Sequence, residues 1–228
     1  MTYQHTYLPP ASPAELLSIV ISRYRYPTTV IIGQERESFA NDLREGVESA
    51  SCDDARGSSP DAKIVEPTPT PHRLLKATLI QTAVSRHIRL LFLPTVTHLR
   101  AVLATFSTTD SRLPAPPNHP QSNESPTLLV YGFIELHRDA SEWSAQGISN
   151  SLAHLVEAAT RNGFAAAVME PKVLGWEEDY GRFPTNRIPI LNGAAMTRRD
   201  GSMSGSTVEI GQVLQRWFRN QPLEDEEE

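Results

Sequence analysis

Among 228 residues there is a single cysteine, Cys52, so an internal disulfide and a multi-thiolate metal site are both excluded. Its polar surroundings mark it as an ordinary exposed thiol. Long hydrophobic runs are also missing: no stretch approaches the roughly 20 apolar residues of a membrane span. The opening Met1-Thr2-Tyr3-Gln4-His5 lacks the charged-then-apolar order of a signal peptide, so the sequence predicts a soluble, intracellular protein. Histidines stand at 5, 72, 87, 98, 119, 137 and 154 with no i, i+4 pair, which argues against a metal site. No G-x-S-x-G frame surrounds Ser38 or Ser144, so a hydrolase has nothing to rest on. Glu177, Glu178 and Asp179 beside Trp176 are clustered carboxylates, but on a loop rich in Gly and Pro they read as a solvated acidic turn. Positive charge is scarce as well. The net charge is −6, and Glu224 to Glu228 supply five of those negatives, leaving a body at −1. Such a body has no broad basic field for binding DNA by itself. The tail, residues 222–228, reads as a solvated end or as a partner-docking segment.

What is present is a strand-loop-helix frame without its chemistry. Thr28-Thr29-Val30-Ile31-Ile32 reads as a buried strand, and Gly33-Gln34-Glu35-Arg36-Glu37-Ser38-Phe39-Ala40 follows where a nucleotide loop would lie. A working G-x-x-x-x-G-K-[ST] loop needs a second glycine for close backbone approach, a lysine on the phosphates and a hydroxyl on magnesium. Ser38, Phe39 and Ala40 hold those three places. Glu35 and Glu37 would repel a triphosphate. Phe39, Leu43 and Val47 recur at helical spacing, so Phe39 also reads as a core anchor. Downstream, Thr127 to Phe133 is a second buried strand, with Tyr131 at the place of a magnesium-holding aspartate. A long helix over Glu142 to Ala159 and a strand over Gly163 to Glu170 follow.

The succession Glu135-Leu136-His137-Arg138, Glu142-Trp143-Ser144-Ala145-Gln146, Arg161-Asn162-Gly163 and Val168-Met169-Glu170 resembles the RecA-like recombinases and their paralogues. Residues 128–171 carry the resemblance; the remainder agrees in element order alone. The resemblance implies a three-layer α/β RecA-like P-loop fold with a mostly parallel central sheet and closing C-terminal antiparallel strands. It further implies a non-catalytic pseudo-ATPase needing no cofactor or metal, since the lysine, hydroxyl and aspartate are lost together. The function so implied is that of a nuclear subunit in a hetero-oligomer of the Shu type, assisting homologous recombination and DNA repair. Its partners would be other RecA-like subunits or a SWIM-type zinc protein, with DNA reached only through the complex. The alternative is a cytoplasmic assembly subunit of an Elongator-type tRNA-modification complex; an NTP-hydrolysing enzyme is a weaker third. Trp143, Phe133 and Trp217 are the candidate partner-interface residues. Trp143 is placed at the opening of the long helix, where it either meets a partner or folds onto its own core.

The remaining segments complete a single domain. Ser12-Pro13-Ala14-Glu15 is a capping box that opens a helix with Leu16, Leu17, Val20 and Ile21 on one face. Residues 49–71, rich in Ser, Asp and Pro, read as a flexible insertion, as does the proline-rich stretch 107–126. His72 to Arg86 is a predicted helix with Leu75, Leu79 and Val84 inward. Ile88 to Leu93 is a strand, and Val96 to Phe106 a helix with Leu99, Val102, Leu103 and Phe106 inward. Ile188 to Asn192 reads as a strand. Ser206 to Phe218 fits both strand alternation and, from Gly211 onward, a helical period. Alternating strands and helices predict a mostly parallel sheet covered on both faces.

Overall fold

The structure is a computed structural model that describes residues 4–23, 26–53, 73–76, 78–107, 126–138, 140–172, 184–191, 196–197, 203–204 and 206–220. The insertion 107–126 falls almost wholly outside them, and the acidic turn 177–179 and tail 222–228 do so entirely. In chain order the elements begin with β1 (Thr6–Ala11), α1 (Pro13–Arg23), β2 (Thr28–Ile32) and α2 (Arg36–Asp53). A 3₁₀ turn (Arg73–Lys76), α3 (Leu79–Ser85), β3 (Ile88–Phe92) and α4 (Val96–Thr105) follow. Next come β4 (Thr127–Tyr131), α5 (Phe133–Arg138), α6 (Ala145–Arg161) and β5 (Ala165–Pro171). The chain closes with β6 (Arg187–Pro189), β7 (Met196–Thr197), β8 (Met203–Ser204), β9 (Thr207–Glu209), α7 (Ile210–Leu214) and β10 (Arg219–Asn220).

Six strands pair in the order β10-β1-β5-β4-β2-β3, and every pairing among them is parallel. Parallel strands are covered on both faces, which is why β2 and β4 read as unbroken apolar or threonine runs and are buried at every residue. The side-chain period of two splits them between two cores. Ile31, Leu128, Val130 and Val168 point toward Leu99 and Leu103 of α4, Ile148 and Leu152 of α6 and Val213 of α7. Val30, Ile32, Leu129, Tyr131 and Met169 point the other way, toward Leu16 and Val20 of α1 and Phe39 of α2. The result is three layers, helix-sheet-helix.

Local signals set the helix starts. Ser12 N donates to Glu15 Oε2 at 2.7 Å and Glu15 N to Ser12 Oγ at 3.2 Å, closing the expected capping box. Ser144 caps α6 by accepting from Gly147 N. Thr78 and Gln81 close a second box, which restarts the helix at Leu79. That restart overturns the continuous helix expected over His72 to Arg86. Its phase turns Leu75 and Leu79 outward, 61% and 89% exposed, and leaves Val84 half-buried.

Other elements agree with the sequence reading only in part. The insertion predicted over 49–71 opens on helix instead, because α2 runs on to Asp53, and residues 54–72 lie outside the described ones. β1 was not anticipated: Pro9 and Pro10 argue against a strand, and the ladder accommodates them by shifting register between Leu8 and Ala11. Residues 206–218 divide between the two readings, with β9 giving way to α7 where Ile210, Val213 and Leu214 become buried at helical spacing. The antiparallel pairings among the described residues are β6–β9 and β7–β8, two-stranded ribbons apart from the main sheet, while β10 extends that sheet in parallel.

Candidate functional site

In open α/β sheets ligands bind outside the carboxyl ends of the strands, where successive helices leave to opposite faces. Here β1 and β2 lead to helices on one face and β3 and β4 to helices on the other, so this edge is where a nucleotide would sit. Four described strand-turn-helix units open on it, and two of them lead to the face that holds Tyr131 and Phe39. β1 passes to α1 through Ser12 alone, and β2 passes to α2 through Gly33, Gln34 and Glu35. A phosphate loop wraps its anion with several successive backbone amides before the helix starts. Neither connection is long enough to do so. Ser38, Phe39 and Ala40 are therefore not loop residues, as the sequence suggested, but lie inside α2. Ser38 and Ala40 are exposed, while Phe39 is buried with its ring 5.9 Å from Phe92 and 6.1 Å from Tyr131, both edge-on.

Gly33 has a different reason to be glycine. Its N–H donates to Tyr131 O at 2.8 Å, and a Cβ there would lie 2.8 Å from Gly132 O. The residue lets two backbones approach at the ends of β2 and β4. Gly132 itself, at φ +76°, turns β4 into α5 while its N–H bonds Met169 O.

Tyr131 and Glu170 fill the described ends of β4 and β5 on opposite faces. Tyr131 is 1% exposed and its hydroxyl donates to Ala11 O at 2.9 Å, reaching across β5 to β1. Burial, with the nearby Glu170 charge, raises its pKa and keeps the phenol neutral. Glu170 ends β5 beneath α5; Oε1 accepts from Ile134 N at 2.8 Å and Oε2 from Glu135 N at 3.4 Å. Burial pushes its pKa up to about 8 against the pull of those two amides. A carboxyl group tuned near neutrality suits acid-base work, but both oxygens of Glu170 are engaged by main-chain amides and its surface is closed. Its geometry is that of a helix cap delivered from a neighbouring strand. The cation whose charge reaches it, Arg138, also lies 3.2 Å from Glu135. Glu170 was visible in the sequence only as a polar strand end, since the amides it serves lie 36 and 35 residues away.

The second cluster surrounds the start of α6. That helix opens at Ala145 behind the Ser144 cap, so Trp143 stands in the preceding turn rather than on the helix. The expectation failed because Ser144 uses its side chain to end the turn. Trp143 is half-buried and packs on the α4–α6 core, as does Trp217 after α7. Phe133, also expected at an interface, is fully buried at the start of α5 and has no surface to offer a partner. Arg100 of α4 fastens the turn: Nη2 donates to Glu142 Oε2 at 2.8 Å and to Gly147 O at 2.9 Å, and Nε to Ser151 Oγ at 2.9 Å. Ser151 Oγ lies 2.9 Å from His137 Nε2, and His137 Nδ1 lies 2.7 Å from Phe133 O. A proton on Nδ1 satisfies the carbonyl and leaves Nε2 to accept the serine hydroxyl. Burial lowers the His137 pKa to about 4, with Arg100 acting in the same direction. The Ser-His contact is not a nucleophile pair, because both residues are fully buried. It fastens α4, α5 and α6 together. No local pattern announces Arg100 and His137, which act 51 and 14 residues away along the chain.

Among the described residues no three of His, Cys, Asp and Glu gather as a metal-holding group, and no helix is long and apolar enough to cross a membrane. A scan against protein-family models finds no match to this chain, and a search of curated proteins finds none either.

Proposed function

We propose that this chain is a non-catalytic, RecA-like subunit of a hetero-oligomer that assists homologous recombination, a scaffold that keeps a nucleotide-binding architecture without the nucleotide. The observation carrying this reading is how the carboxyl ends of β1, β2 and β4 are filled. Connections of one and three residues, the Tyr131–Ala11 bond and the buried Phe39 fill the space a phosphate would need. The order β4, α5, α6, β5, over the stretch that resembles the recombinase paralogues, supports the family part of the proposal. The partners are other RecA-like subunits or a SWIM-type zinc protein in the nucleus, and DNA is met by the assembly rather than by this nearly neutral body.

Affinity purification of the tagged chain from its own cells, with mass spectrometry, tests the reading. Recovery with recombinase paralogues or a SWIM-type protein supports it. Recovery with tRNA-modifying subunits replaces it by the Elongator-type alternative, and recovery of neither removes the scaffold proposal.

A further inference from the structure

We draw no further inference here: the strongest candidate, the apolar groove between α1, α2, the 3₁₀ turn and α3 with Leu75 on its lip, carries nothing because nothing among the described residues shows what covers it.

Discussion

At the scale of single residues, Glu170 and His137 make opposite demands on pH. Glu170 binds its proton more tightly in the folded chain, with a pKa of about 8 against an ordinary 4.5. Its contribution to stability is fully present below about pH 4.5 and is lost as pH rises through about 8. His137 is held neutral, its pKa lowered from 6.5 to about 4, so its contribution is present above pH 6.5 and lost as pH falls toward 4. Between pH 6.5 and 9 the histidine is silent and Glu170 is left to titrate. Unfolding free energy should fall there by at most about 1.4 kcal/mol per pH unit, and Glu170→Gln should remove most of that slope. Urea titrations of both proteins at pH 6.5 and 9 make the comparison; parallel slopes would refute it. Gly33 gives a second residue-level prediction. A Cβ at 2.8 Å from Gly132 O meets backbone that is itself bonded to Met169. Gly33→Ala should therefore cost about 1–3 kcal/mol as an overpacking change, read as a lower urea midpoint. An unchanged midpoint would mean that β2 and β4 can separate freely.

At the scale of elements, the turn before α6 is the surface that the proposed subunit would offer its partner. Arg100, from a helix that packs on α6, pins Glu142 and Gly147 on either side of Trp143. Trp143→Ala should leave the monomer folded and cost roughly 2 kcal/mol or more of partner affinity. Arg100→Met should weaken the same binding by loosening the turn, and calorimetry against the co-purified partner measures both. Binding that is unchanged, or a mutant that unfolds, would return Trp143 to the core. Whether an element could be read from the sequence depended on where its partners lie. The Ser12–Glu15 box, the uninterrupted β2 and β4, and the 3.6-residue stripe of Leu99 and Leu103 are local signals that were visible. β1 hid behind Pro9-Pro10, whose disruption a bulge absorbs, and the two-residue β10 exists only because β1 lies beside it. The outward turn of Leu79 came from the Thr78 cap, which outranked the apolar periodicity on either side. The candidate site divides the same way. Tyr131 and Phe39 could be placed by counting along the frame, whereas the Glu170 cap and the His137–Ser151–Arg100 chain are products of the tertiary fold.

At the scale of the whole molecule, the question is whether a sheet with the ends of β2 and β4 so filled has any hold on a nucleotide. Triphosphate binding needs successive free amides, a cation on the phosphates and a metal ligand at the neighbouring strand end. The connections after β1 and β2 are one and three residues long, Gly33 N–H is already bonded to Tyr131 O, and at the end of β4 stands a phenol, Tyr131, bound to Ala11 rather than a carboxylate. Glu35 and Glu37 stand at the start of α2, so the helix end that would attract an anion is flanked by negative charge. Opening the edge would require breaking the Tyr131–Ala11 bond and moving Phe39 out of a core shared with Phe92. Isothermal calorimetry of the purified chain with ATP and magnesium should register no binding in the micromolar range, and adding ATP should leave the melting temperature unchanged. Tyr131→Asp should unfold or destabilise the chain rather than restore a site, because a carboxylate there is buried without a partner. Micromolar ATP binding by the isolated chain would show that the edge opens and would end the scaffold reading. Binding only after addition of the partner would mean that the partner brings the amides and cations this site lacks.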